Sequence, residues 1–224
     1  MKKIGIMGGT FDPIHVGHLI LGESAYDQFG LDKVLFMPAG NPPHKQNRAG
    51  RATNEERYEM VQLAIASNPH FGISDLEMTE DGYTYTYRTL EKLKSQNPDT
   101  EYYFIIGADS LFDFDTWMKP QRICDACVLV AATRNHTPEE QLDAQIRHLK
   151  DTYGGDVRKL DTENMDVSSH HIRSWVQEGR TIRYYVADPV MDYIFRNGLY
   201  RKHLRRSGRP LFHTDRRRYA DHDL

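Results

Sequence analysis

The chain has 224 residues, 39% hydrophobic and 27% charged, with a net charge of −3 at pH 7. That length accommodates one large core, and the composition is that of an ordinary globular domain. No apolar run reaches the roughly 18 residues of a spanning helix, and no charged-then-apolar leader precedes the first strand, so no membrane partner is expected and the location is read as cytoplasmic.

Strand-like and helix-like segments alternate along the chain. Ile4–Met7 reads as a strand running into the turn Gly8-Gly9-Thr10, and Gly17–Phe29 as the helix after it. Lys33–Met37 is a second strand, ended by Pro38 and the loop through Lys45. Asn54–Ser67 is helical, with Met60, Leu63 and Ala64 at helical spacing and Thr53 as its cap. Phe71–Ser74 is a short strand, and Tyr87–Ser95 a helix stopped before Pro98. Tyr102–Ile106 is a strand running into Gly107-Ala108-Asp109. Val128–Ala132 and Val157–Leu160 are strands flanking a helix over Pro138–Thr152. Ser168-Ser169 open a further helix, and Asp188-Pro189 open the last, Val190–Arg196, with Gly198 as its stop.

This alternation implies parallel pairing with right-handed crossovers. The expected fold class is α/β, doubly wound: a mostly parallel sheet with helices on both faces. The expected organisation is one domain over residues 1–200 and a basic, flexible tail over 201–224. From Leu199 onward there are eight Arg or Lys against three Asp, +5, which leaves −8 on the rest. A solvated tail accounts for that charge. A nucleic-acid patch would call for interleaved aromatics or a known motif, and neither is present. Cys124 and Cys127 admit a redox or zinc reading, but no second ligand pair exists and the pair precedes a strand, so they read as small, partly buried thiols.

The segment Gly8-Gly9-Thr10-Phe11-Asp12-Pro13-Ile14-His15-Val16-Gly17-His18 carries the functional signal. A strand, a glycine turn and a helix start form a pocket walled by backbone N–H groups, suited to phosphate. It is neither the Gly-x-Gly-x-x-Gly dinucleotide fingerprint nor the Gly-x-x-x-x-Gly-Lys phosphate loop. His15 and His18, three residues apart, share one helix face. Zinc ligation would need further ligands, and burial as structural rings is the ordinary alternative. Their place at a nucleotide-type turn favours donors to phosphate. Gly17 would let backbone approach a ligand closely.

This segment resembles the signature of the HxGH nucleotidylyltransferases. Three later blocks narrow the resemblance to the bacterial nicotinate-nucleotide adenylyltransferases. They are Pro38-Ala39-Gly40-Asn41-Pro42-Pro43-His44-Lys45, Ile106-Gly107-Ala108-Asp109 followed by Trp117, and Val167-Ser168-Ser169-His170-His171-Ile172-Arg173. The blocks fall in the family's order between residues 3 and about 200.

The resemblance implies a Rossmann-like transferase fold and adenylyl transfer from ATP to nicotinate mononucleotide, giving deamido-NAD and pyrophosphate. Catalytic roles fall on His15, His18, Lys45 and Arg173. ATP is expected to meet Gly8, Gly9, Thr10, Phe11, Gly17, Gly107, Asp109, Arg134, Ser168 and Ser169. The mononucleotide is expected against Asp12, His44, Lys45, Thr86 and Trp117. Mg²⁺ is expected with ATP, bridging phosphate oxygens without a protein cage. A homo-oligomer is left open. His170, Arg88 and Arg134-Asn135-His136 depart from the family pattern, which bears on the substrate side alone. Sister transferases using nicotinamide mononucleotide or phosphopantetheine, and a regulator that binds nucleotide without chemistry, remain as alternatives.

Overall fold

In the computed structural model, residues 1–40, 50–78, 83–132, 138–162 and 166–201 are described. His44, Lys45, Arg134 and the basic tail from residue 202 lie outside them. The strands are β1 (Lys2–Gly9), β2 (Lys33–Pro38), β3 (Phe71–Ile73), β4 (Thr100–Gly107), β5 (Val128–Ala132) and β6 (Val157–Leu160). The helices are α1 (Val16–Phe29), α2 (Asn54–Ile65), α3 (Thr86–Gln96), α4 (Ala108–Phe112), α5 (Pro120–Ala126), α6 (Glu139–Tyr153), α7 (Ser169–Gln177) and α8 (Asp188–Arg196).

All six strands pair in parallel in the order β3-β2-β1-β4-β5-β6. This is the expected doubly wound α/β sheet. Met7 pairs with Phe36 on one side and Ile105 on the other, so β1 is central. Its residues Ile4, Gly5, Ile6 and Met7 are all buried, as a strand covered on both faces requires.

The pleat sends alternate residues into two cores. Ile4, Ile6, Phe104, Leu129 and Ala131 pack under α3, α5 and α6 with Leu90, Ile123 and Leu142. Met7, Tyr103, Ile105, Val128 and Val130 pack on the opposite face with Ala25, Met60, Ile172 and Ile194 of α1, α2, α7 and α8.

Local chemistry sets the helix starts. Thr53 Oγ1 accepts from Glu56 N at 3.2 Å while Thr53 N donates to Glu56 Oε2 at 2.8 Å, a capping box. Pro189 lies in the first turn of α8, and Gly198, at φ +64°, follows its end.

One expectation is corrected, and one stretch left unassigned in the sequence is filled. Gly8 and Gly9 are the last residues of β1 and not a turn, because pairing continues to Met37 and Pro38 after β4 has ended its contact at Met7. The chain from Ala108 to Cys127 carries α4, a 3₁₀ turn at Phe114–Thr116 and α5, so Cys124 lies on a helix. Both thiols are buried, Cys127 Sγ donates to Ile123 O, and burial pushes Cys124 up to about 11.

Candidate active site

A cleft of about 310 Å³ opens at the carboxyl ends of β1 and β4, where the sheet's order reverses. In doubly wound sheets that switch point is where ligands bind. One wall comes from the β1–α1 segment, the other from β4, α4, the start of α3 and Trp117.

His15 is the N-cap of α1, and His18 sits in its first turn. His15 N–H donates to His18 Nδ1 at 3.2 Å. An imidazole whose Nδ1 accepts carries its proton on Nε2 when neutral, so His18 keeps Nε2–H as a donor. The two rings stack at 3.7 Å and 29°, His15 is 4% exposed, and both line the cleft. Phe11, at φ +49°, lies under this pair with its ring 5.0 Å from that of His18. A Cβ on Gly17 would lie 3.1 Å from His15 Nδ1, so this glycine makes room for the imidazole.

Beneath the histidines runs a polar layer. Asp12 is 2% exposed, and its Oδ1 accepts from Tyr200 OH at 2.7 Å and Ala52 N at 3.2 Å. Arg51 Nε and Arg173 Nη1 stand 3.9 and 3.8 Å from its Oδ2. Asp12, expected on the mononucleotide side, thus turns its carboxylate inward. Its backbone O accepts from Arg173 Nη1 at 2.5 Å. Ser169 Oγ donates to Pro13 O at 2.8 Å, and Ser168 Oγ accepts from His171 N at 3.2 Å as the cap of α7. Ser168, Ser169 and Arg173 stand behind the cleft surface, while their neighbour Val167 reaches it.

Arg57 of α2 is a component that sequence reasoning missed. It is 4% exposed and donates to Thr10 O at 2.6 Å, Ala39 O at 2.7 Å and Asn54 Oδ1 at 2.6 Å. Burial draws its pKa down while Asp12 pulls it up. An arginine stays charged under such a shift, so it clamps the loops that follow β1 and β2. Nothing in a surface-looking Asn-Glu-Glu-Arg string signals this role.

The opposite wall is less tied. Gly107 caps α4 at φ −74°, and a Cβ there would meet no described residue within 4 Å. Asp109 follows in the first turn of α4 and lines the cleft. Thr86 begins α3, whose Thr89 Oγ1 donates to Glu77 Oε1 at 2.8 Å. Trp117 is half-buried, packed on Phe114 at 5.4 Å and edge-on to Phe104 at 6.3 Å. The structure therefore gathers Gly8, Gly9, Thr10, His15, Gly17 and His18 on one side. Thr86, Gly107, Asp109 and Trp117 stand on the other.

The departing residues Arg88 and His170 are exposed and outside the lining. Arg88 Nε donates to Tyr87 OH at 3.0 Å, and the His170 ring lies 5.9 Å from that of His171. Asn135 and His136 lie outside the described residues.

A nucleotide-type sheet with paired imidazoles at its switch point defines a nucleotidyltransferase. The cytidylyltransferase-like family matches residues 6–174. A relative from Lachnoclostridium phytofermentans, named "probable nicotinate-nucleotide adenylyltransferase", is 42% identical over 89% of this chain and 100% of its own. One of the same name from Rubrobacter xylanophilus is 38% identical over 96% of this chain and 99% of its own. The chain belongs to the cytidylyltransferase-like family and, within it, to the nicotinate-nucleotide adenylyltransferases. In fold it is similar to the Plasmodium falciparum nicotinic acid mononucleotide adenylyltransferase complexed with NaAD. The TM-score is 0.73 at 20% identity, covering 89% of this chain and 98% of the other.

Proposed function

We propose that the protein transfers the adenylyl group of ATP to nicotinate mononucleotide, giving deamido-NAD and pyrophosphate in NAD biosynthesis. The carrying observation is the stacked His15–His18 pair at the start of α1, with both residues lining the cleft at the sheet's switch point. A 5′-phosphate oxygen of the mononucleotide attacks the α-phosphorus of ATP. The bond from that phosphorus to the bridging oxygen breaks, and pyrophosphate leaves with the electron pair. Positioning and charge stabilisation suffice for this exchange.

His15 and His18, at the positive end of α1, donate to the phosphates as charge builds. Lys45, which lies outside the described residues, is the further cation assigned to the triphosphate. Arg173 and the α7 N-terminus support the same side through Asp12 O and Pro13 O. Gly107 leaves room for the adenosine, and Asp109 serves its ribose. Trp117 offers its face to the pyridine ring, and the α3 N-terminus at Thr86 offers backbone N–H groups to the nicotinate carboxylate.

No group of three or more His, Cys, Asp or Glu suited to a metal occurs among the described residues. Asp109 and Glu77 are the carboxylates lining the cleft. That donor set fits Mg²⁺ carried in by the triphosphate, where it would neutralise phosphate charge. No described helix is long and apolar enough to cross a membrane. We read the enzyme as cytoplasmic, with small-molecule substrates as its partners.

The test is pyrophosphate release from ATP and Mg²⁺ against nicotinate mononucleotide, nicotinamide mononucleotide and phosphopantetheine. The expected result is turnover with a clear kcat/KM preference for the acid mononucleotide. Preference for either of the others reassigns the substrate, and no release with any of them refutes the transfer.

A further inference from the structure

We propose that Tyr200 is a positioning residue of the transferase site, acting through Asp12. The argument starts from where the chain puts an aromatic hydroxyl. After α8, Gly198 at φ +64° and Tyr200 at φ +61° turn the backbone back toward the sheet. Positive φ is rare for a bulky side chain, so tertiary contacts hold Tyr200 there. Its ring is 6% exposed in the core shared by α1, α2, α7 and α8. Its hydroxyl donates to Asp12 Oδ1 at 2.7 Å, across 188 positions of sequence.

Asp12 is the junction of that core with the site. One residue before it, Phe11 supports the ring of His18. One residue after it, Pro13 O receives Ser169 Oγ at the start of α7. Its own backbone O receives Arg173. Its carboxylate binds Ala52 N and faces the guanidinium groups of Arg51 and Arg173. Packing alone would accept phenylalanine at position 200, because among the described residues the hydroxyl's other hydrogen-bond contact is the weak one to Met60 Sδ at 3.9 Å. The hydroxyl therefore serves Asp12. A carboxylate left with Ala52 N alone on Oδ1 can swing toward either arginine, taking the Arg173 anchor and the α7 N-terminus with it. Burial and the Asp12 charge push the Tyr200 hydroxyl up, so it remains a donor throughout the neutral range.

The inference rests on the transfer reading above, and its test separates the two. Tyr200→Phe is compared with Tyr102→Phe, which removes another buried hydroxyl, one donating to Leu93 O at 3.2 Å and remote from the cleft lining. Amide hydrogen exchange over 169–173 is measured first, on the full chain without nucleotide. Exchange there is expected to quicken roughly tenfold in Tyr200→Phe and to stay at the wild-type rate in Tyr102→Phe. An unchanged rate in Tyr200→Phe overturns the proposal.

Kinetics give the second arm. In Tyr200→Phe, kcat is expected to fall roughly tenfold while KM for ATP stays within about twofold. In an Arg173→Lys background the same substitution is expected to cost little more, since the two act along one path. Equal losses in both backgrounds overturn the link. A wild-type enzyme that releases no pyrophosphate refutes the transfer reading, and the exchange result then decides the Tyr200–Asp12–α7 link by itself.

Discussion

The two walls of the cleft are built on different principles. On the β1–α1 side, polar groups are held by one another, locally at the histidine pair and from distant parts of the chain at Asp12 and Thr10. His18 is held by His15 N–H, Asp12 by Tyr200, and Thr10 O by Arg57. On the β4–α4 side, the cleft is bounded by an empty position at Gly107 and by the half-buried ring of Trp117. The first wall is set before substrate arrives, as phosphoryl stabilisation requires. The second leaves volume for a base and a ring, which recognise by shape and stacking. Rigidity goes where charge must be met, and space goes where bulk must be received.

That contrast can be broken at its strongest point by His18→Ala. The fold should survive, and kcat/KM should fall by about 2–4 kcal/mol of transition-state stabilisation, read by pyrophosphate release. Wild-type turnover in a folded variant would remove the histidines from the chemistry. A smaller loss is expected from Arg57→Met, which leaves Thr10 O and Ala39 O without their buried donor. Urea unfolding should show a loss of about 2 kcal/mol, with activity falling alongside. A variant as stable as wild type would mean that the first wall does not need its clamp.

The smallest effect belongs to the second wall. Gly107→Ala places a methyl where no described residue stands within 4 Å. Stability should change by less than about 1 kcal/mol, while KM for ATP rises roughly tenfold as the methyl takes ligand space. An unchanged KM would show that nucleotide does not approach Gly107.

How much of this could be read from the residues alone follows from the range of the interactions. The strands read well because a buried parallel strand is a continuous apolar run, and β5 agrees to the residue, Val128–Ala132. Thr53 and Ser168 read well because caps are local. The stretch holding α4 and α5 did not, because Lys119 in the left-handed region and short helices of five and seven residues carry no periodicity. The histidine pair was visible because both residues lie on one helix start. Asp12 was expected to face ligand, and its inward turn depends on a tyrosine 188 positions away. Arg57 looked like any exposed helical arginine until the ends of β1 and β2 closed over it.

The Tyr200–Asp12 bond also sets an order of events during synthesis. Tyr200, one of the supports of the histidine loop, leaves the ribosome 188 residues after Asp12. At cellular elongation rates of roughly 5–20 residues per second, the loop waits on the order of ten seconds or more for Tyr200 to arrive. A nascent chain arrested before that turn can hold β1, α1 and both imidazoles, yet Asp12 still lacks the hydroxyl bond.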